Sequence, residues 1–387
     1  MIPKRNLKRA LSKALSQPGY AVTAFRQRLK SYLSYKYKKG FAAPPETVSI
    51  FITYRCNLRC AMCSQWGETG SAKHYTREML YEQQNLDTLK GLIDDVKGWK
   101  PTITLFGGEP LMYKGLFELV GHIKDSGMRC NMITNGVMLH HFAPDIIDSG
   151  MDEIIWSLDG PEDIHDQIRG RKGTFKRAVE GMKEIVRLRD EKGLKKPVIN
   201  INSTMFETNY LRMDETIKVA EDVNAKTITF HHLIFIGKEQ YLEHDKLFNE
   251  FYGTSCVDWS GFIWEGLPAM DPAKIIREVR RLERGNFQTS VHFYPNLPDK
   301  EIKLYYSNFD FVPKSYKPRC MSPWMVAYVM PSGEVRPCYL FNYSLGNIKE
   351  KPFTQIWNNA QYKRFRRLTK REKIYPVCAR CTELYRF

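Results

Sequence analysis

Before Glu46 the sequence contains no aspartate or glutamate. The same stretch carries Lys4, Arg5, Lys8, Arg9, Lys13, Arg26, Arg28, Lys30, Lys36, Lys38 and Lys39, so most of the formal net charge of +16 sits at one end. A second basic run, Lys363-Arg364-Phe365-Arg366-Arg367, lies near the other end. Fields of one sign favour an anionic partner: a membrane surface, a nucleic acid or an acidic substrate. No apolar run reaches the roughly 20 residues needed to cross a bilayer as a helix. No continuous apolar segment follows the basic N-terminus, as a secretory signal requires. A cytoplasmic chain is therefore expected, peripheral on the inner membrane face if the basic end touches lipid. In that compartment nine cysteines point to metal or cluster binding in preference to disulfides.

Length and order suggest several units. At 387 residues there is room for two or three domains. Residues 1–45 read as a basic amphipathic extension of two helices broken at Pro18-Gly19, with stripes Leu7, Leu11, Leu15 and Val22, Phe25, Leu29, Leu33. Such a stripe either lies in a lipid headgroup layer or packs on the following domain. Residues 46–235 alternate strands (48–54, 102–106, 130–134, 153–158, 198–204, 227–233) with helices (77–97, 114–126, 140–149, 174–191, 209–223). This order predicts an α/β fold, a partial (β/α)6 TIM-like barrel whose ligands sit at the C-terminal ends of the strands. Residues 236–315 read as barrel completion and linker, with a helix from Asp271-Pro272 and one further strand near 290–294. From 316 to 387 a small cluster-binding α+β domain is expected, with a hairpin turning at Pro331-Ser332-Gly333.

Chemistry concentrates in Cys56-Asn57-Leu58-Arg59-Cys60-Ala61-Met62-Cys63, directly after the first strand. Three thiols this close can hold one face of a metal centre and leave a coordination position open. A redox dithiol or a zinc knuckle is the rival reading. Zinc wants a fourth Cys or His nearby, and the nearest candidate is His74. After the second strand comes Gly107-Gly108-Glu109-Pro110, where glycines admit a ligand close to the backbone and a carboxylate suits an ammonium group.

These two motifs together resemble the radical S-adenosylmethionine (SAM) superfamily. Thr134-Asn135-Gly136, Trp156-Ser157-Leu158-Asp159-Gly160, Ile168-Arg169-Gly170 and Gly173-Thr174-Phe175 extend the likeness over roughly residues 46–235. The resemblance implies that Cys56, Cys60 and Cys63 hold a four-iron four-sulfur (4Fe–4S) cluster whose fourth iron takes SAM. It implies SAM contacts from Gly107, Gly108, Glu109, Pro110, Asn135, Ser157, Arg169 and Asn202. Arg169, a planar bidentate cation, is expected on the SAM carboxylate. Met62 stands where many members carry an aromatic residue, and Trp66 is a substitute for it against adenine.

The C-terminal part, with Cys320, Cys338, Gly346-Asn347-Ile348, Trp357, Cys378 and Cys381, resembles a SPASM or twitch extension. Full versions carry more cysteines, so the resemblance implies one auxiliary 4Fe–4S cluster held by those four; a four-cysteine zinc ribbon is the alternative. Cys130 and Cys256 are left over as buried or bland thiols. No catalytic residue is assigned. His231 and His232 are candidates at the end of the sixth strand, and at most one of them faces the interior. Asp159, Asp258 and Glu265 are further, unranked candidates for substrate contact.

The reading is a radical SAM enzyme that abstracts a substrate hydrogen, fed by a flavodoxin- or ferredoxin-type donor. A lipid or lipid-linked substrate is expected from the basic N-terminus, with a soluble sugar, aminocyclitol or peptide as the alternative. The short N-terminus argues against cobalamin and against a leader-peptide domain. Iron–sulfur electron transfer or nucleic-acid binding are the non-enzyme readings.

Overall fold

The computed structural model describes residues 18–386, with side chains from Val22 onward. The helix expected around Leu7–Leu15 lies outside the described residues. Helix α1 (Pro18–Tyr37) leads into strand β1 (Thr47–Thr53), then α2 (Arg77–Tyr81), α3 (Leu86–Val96), β2 (Thr102–Gly107), α4 (Leu116–Asp125) and β3 (Cys130–Thr134). Next come α5 (Leu139–Asp148), β4 (Glu153–Ser157), α6 (Glu162–Arg169), α7 (Thr174–Glu191), β5 (Val198–Thr204), α8 (Met213–Asp222) and β6 (Thr227–His231). The chain continues through α9 (Lys238–Tyr252), α10 (Pro272–Glu283), β7 (Ser290–Tyr294) and α11 (Asp299–Ser307). It closes with β8 (Val326–Val329), β9 (Val335–Arg336), α12 (Phe353–Ile356) and α13 (Ala360–Glu372).

All six expected strands form, and they lie side by side in chain order. The sheet runs β7-β6-β5-β4-β3-β2-β1-β8-β9, parallel throughout except for β9 against β8. This is a partial barrel of the TIM type. Strand β1 has Val48, Ile50 and Ile52 turned toward the helix layer, where they join Leu89, Leu92, Ile93 and Val96 of α3 in one core. Its alternate residue Phe51 packs on the other face with Tyr54 and Met330. Burial on both faces explains why β1 reads as a nearly continuous apolar run.

Three features depart from the sequence reading. The single helix expected over 77–97 is two, because Asn85 accepts a hydrogen bond from Thr88 N (2.7 Å) and starts α3 anew. Helices α6 and α9 form where the sequence reading places no helix. The expected hairpin at Pro331–Gly333 is present as β8–β9, but β8 also pairs in parallel with β1, from Thr47↔Val326 to Ile50↔Val329. That pairing satisfies a strand edge that would otherwise expose open backbone groups.

Asp152 staples the bottoms of three strands. It is buried and accepts from Cys130 N (2.9 Å) and from the ammonium groups of Lys124 and Lys196. Burial alone would raise its pKa, but the two lysines and the amide outweigh burial and hold it below the usual carboxylate value. Its contribution is therefore present above the unfolded value, near 3.9, and is lost as pH falls through the lower folded value. Asp152→Asn is expected to cost about 1–3 kcal/mol near neutral pH. A thermal melting series from neutral to acid pH should show the gap to wild type closing on the acid side.

Candidate functional site

The cysteine loop begins where β1 ends, and the loop after β2 holds it there. Gly108 N donates to Thr53 O (2.7 Å) and Glu109 N to Arg55 O (2.8 Å). A Cβ on Gly108 would stand 2.2 Å from the Arg55 carbonyl oxygen, so only glycine permits this approach. Within the loop, Cys63 N donates to Cys60 O (3.1 Å), and Ala61 N donates to Ile168 O at the end of α6 (2.8 Å).

Donors face the sulfurs. Asn135 Nδ2 lies 3.9 Å from Cys56 Sγ, Arg169 Nη1 3.7 Å from Cys60 Sγ, and Trp66 N 3.4 Å from Cys63 Sγ. Burial pushes the Cys56 thiol up to about 12 and raises Cys60 as well. Half-buried thiols ringed by a cation and amide donors suit ligation as thiolates by a metal centre that displaces their protons.

Glu109 is fully buried at the hub of this edge. Its carboxylate accepts from Thr134 Oγ1 (2.8 Å), Asn135 N (2.9 Å) and Leu111 N (3.2 Å). Desolvation pushes its pKa up to about 7 against those donors. Pro110 opens the buried turn that follows. Ser157 and Asn202 are register partners on β4 and β5. Arg169 is buried, donates to Ser157 O (2.7 Å) and forms an ion pair with buried Asp159, while its Nε has no protein partner. Asp159, expected as a substrate contact, is thus the residue that orients Arg169. Trp66 stacks under the Arg59 guanidinium (4.1 Å) and donates to Tyr54 O (2.8 Å).

The histidine pair splits as strand alternation requires. His231 ends β6 on the same edge and meets the Tyr294 ring. His232 is buried the other way, with Nδ1 2.9 Å from Tyr306 OH, and desolvation holds it down to about 3. It is a neutral core histidine. Cys130 and Cys256 are both buried, and Glu265 is exposed.

The other four cysteines meet elsewhere. Cys320, Cys338, Cys378 and Cys381 line one apolar cavity, together with Trp259 and Phe341. Buried Trp259 Nε1 has no protein partner there. Four thiols spread around a cavity fit a cluster, with an indole N–H left over as a donor to it.

A 3-10 turn, Val257–Phe262, bridges the two regions. Trp259 lines the four-cysteine cavity, and a Cβ on Gly261 would sit 1.9 Å from Ser64 O, next to Cys63. Between them Asp258 lines a smaller cavity with Tyr54, Ser64, Gln65, Met330 and Tyr339. Asp258 accepts from Tyr75 OH, from Asn342 Nδ2 (2.9 Å) and from Arg336 Nη1 (2.9 Å). No spacing in the sequence singles this turn out. Its partners lie at positions as distant as 75 and 342.

The Radical SAM superfamily model matches residues 50–220, and the SPASM model, an iron–sulfur cluster-binding domain, matches 320–382. This chain carries a radical SAM domain followed by a SPASM domain. It is 26% identical over 346 residues to the Fe-coproporphyrin III synthase of Methanosarcina barkeri, covering 85% of this chain and 79% of that one. It is 22% identical to the antilisterial bacteriocin subtilosin biosynthesis protein AlbA of Bacillus subtilis, over 80% of this chain and 58% of that one. Streptococcus suis SuiB, solved with S-adenosylmethionine bound, shares the fold with a TM-score of 0.60 at 14% identity, over 94% of this chain and 78% of SuiB. As a radical SAM and SPASM protein, the chain is an enzyme using SAM, a SAM-binding 4Fe–4S cluster and auxiliary iron–sulfur chemistry. No described helix is long and apolar enough to cross a membrane.

Gly108→Ala is expected to push the cysteine loop off Gly108 while leaving the four-cysteine cavity intact. Iron incorporated on anaerobic reconstitution should fall toward about half the wild-type value, the share of one four-iron cluster. An unchanged iron content would show that the loop tolerates the displacement.

Proposed function

We propose that Cys56, Cys60 and Cys63 ligate the SAM-binding cluster and that Gly107, Gly108, Glu109, Pro110, Asn135, Ser157, Arg169 and Asn202 form the SAM cradle. The supporting observation is convergence: residues from β1 to β5 meet at one strand edge and hydrogen-bond to one another and to the thiols. Once bound, the cluster and SAM supply a 5′-deoxyadenosyl radical for abstraction of a substrate hydrogen atom. The chain's own task is orientation. Asp159 and the Ser157 carbonyl fix Arg169, whose unpartnered Nε is a donor left for the SAM carboxylate. Glu109 carries a fixed, dry carboxylate that suits the SAM ammonium.

Cys320, Cys338, Cys378 and Cys381 hold one auxiliary cluster. Four protein thiolates close it to substrate and suit it to electron transfer. A flavodoxin- or ferredoxin-type donor supplies reducing equivalents. His231 is the member of the histidine pair placed to meet substrate.

The substrate is a lipid or lipid-linked molecule, and the enzyme works at the inner membrane face. The basic chain end supports this. One relative named for bacteriocin biosynthesis and another named for maturation of a sporulation killing factor support a second reading, a peptide substrate.

Anaerobic reconstitution should yield about eight irons per chain and, on reduction with SAM, 5′-deoxyadenosine. Cys56→Ala should abolish SAM cleavage. Cys320→Ala should lose roughly four irons yet retain cleavage, while blocking turnover of substrate. Absence of 5′-deoxyadenosine from the fully loaded, reduced wild type, with candidate substrates supplied, would overturn the assignment.

A further inference from the structure

Helix α1 is built inside out. A surface helix ordinarily buries its apolar stripe and exposes its polar face. Here the residues turned inward are Ser31, fully buried, Ser34, and the partly buried Tyr32 and Tyr35. Tyr35 meets Trp324 edge to face at 5.0 Å, Arg319 lies over the Tyr32 and Tyr35 rings, and Lys370 Nζ donates to Tyr35 O (2.7 Å). The residues turned outward are Val22 (51% exposed), Phe25 (65%), Leu29 (46%), Leu33 (44%) and Tyr37 (63%), and the line continues to Phe41 (46%). Spacings of three and four put them along one side of the helix.

Bases flank this stripe. Arg26, Lys30, Lys36, Lys38 and Lys39 are all exposed. Helix α13 adds to them: a Cβ on Gly40 would stand 2.4 Å from Lys363 O, and Arg367 packs on the same glycine with its head exposed. The chain contributes no acidic residue to the stretch before Glu46. Rings and branched chains edged by bases match a headgroup layer, where apolar groups insert and cations meet phosphates.

We infer that the outward face of α1, extended by the basic face of α13, is a docking surface for an anionic lipid bilayer. The inference rests on the reading of a membrane-surface enzyme and deepens it by naming the residues that touch lipid. Phe25, Leu29 and Leu33 enter the headgroup–acyl boundary, and Arg26, Lys30, Lys36 and Arg367 pair with lipid phosphates. Because α1 packs on the segment around Arg319 and Trp324, beside Cys320, docking fixes the orientation of the auxiliary domain to the membrane.

The test is flotation of the full chain with vesicles of equal parts phosphatidylcholine and phosphatidylglycerol, against pure phosphatidylcholine. Wild type should float only with the mixed vesicles and be released as salt rises. The double variant Phe25→Glu, Leu29→Glu should weaken binding by roughly tenfold or more, and Arg26→Glu, Lys30→Glu should do the same. Both replace exposed side chains, so melting temperature and SAM cleavage should stay at wild-type values. Undiminished binding of both variants would overturn this surface while leaving membrane placement standing. Failure of wild type to float would remove both, with SAM cleavage untouched as the measure of the radical chemistry. A wild-type dimer that the Phe25→Glu, Leu29→Glu variant disperses, without vesicle binding, would assign the stripe to a second copy and overturn the lipid surface.

Discussion

Two backbone hydrogen bonds set the geometry on which the rest depends: Gly108 N to Thr53 O and Glu109 N to Arg55 O. They weld the end of β1 to the loop after β2 at the point where the cysteine loop departs. The weld propagates. Glu109 carries its carboxylate to Thr134 and Asn135 after β3, and Asn135 returns through its side chain to Asn57 and Cys56. Three strand ends thus close a ring of hydrogen bonds around the first sulfur. In a parallel sheet all these ends lie on one edge, so short loops suffice to bring them together. A loop of three thiols has little stiffness of its own, and the ring supplies it.

The same strand also anchors the second site. β8 pairs with the start of β1, and Cys338 follows β9 directly after the hairpin. Met330 and Tyr339 then pack toward Phe51, Tyr54 and Phe106 on the inner face of β1 and β2. Sites carried on neighbouring strands of one sheet cannot drift apart as sites on a hinged domain can. The Val257–Phe262 turn adds a second connection, with Trp259 on the four-cysteine cavity and Gly261 against Ser64. Backbone pairing on one side and close packing on the other fix the separation of the two sites.

Local pattern made much of this legible. Strands β1 to β6 alternate with helices at regular intervals, and the cysteine and glycine–glutamate motifs sit at strand ends, so both fold and edge follow from sequence. Long-range pairing was not legible. Nothing in Val326–Val329 says that it joins Thr47–Ile50, because any parallel partner would satisfy its backbone. Asp159 carried no sign that it holds Arg169, since an Asp-Gly turn after a strand is common and the ion pair depends on the path of α6. His232 could be placed only once strand direction showed which histidine faces Tyr306. Helix α9 is hard to read from sequence because its exposed residues are mostly charged and only His244 and Phe248 are buried.

Helix α1 shows where periodicity stops being informative. An apolar stripe at helical spacing identifies a helix with a hydrophobic side but not what covers that side. In this chain the body is satisfied by the opposite face, through Ser31, Ser34 and Tyr35, and the stripe stays outside. Small polar residues allow α1 to approach Trp324 closely, whereas the larger Phe25 and Leu29 would hold it away. The exposed side is therefore a consequence of how the helix seats, not of a failure to pack. Its seat is the segment that opens the four-cysteine domain, so whatever meets the outer face of α1 also sets how the auxiliary site is presented. An apolar surface beside bases is costly in water and finds its complement at a charged lipid boundary.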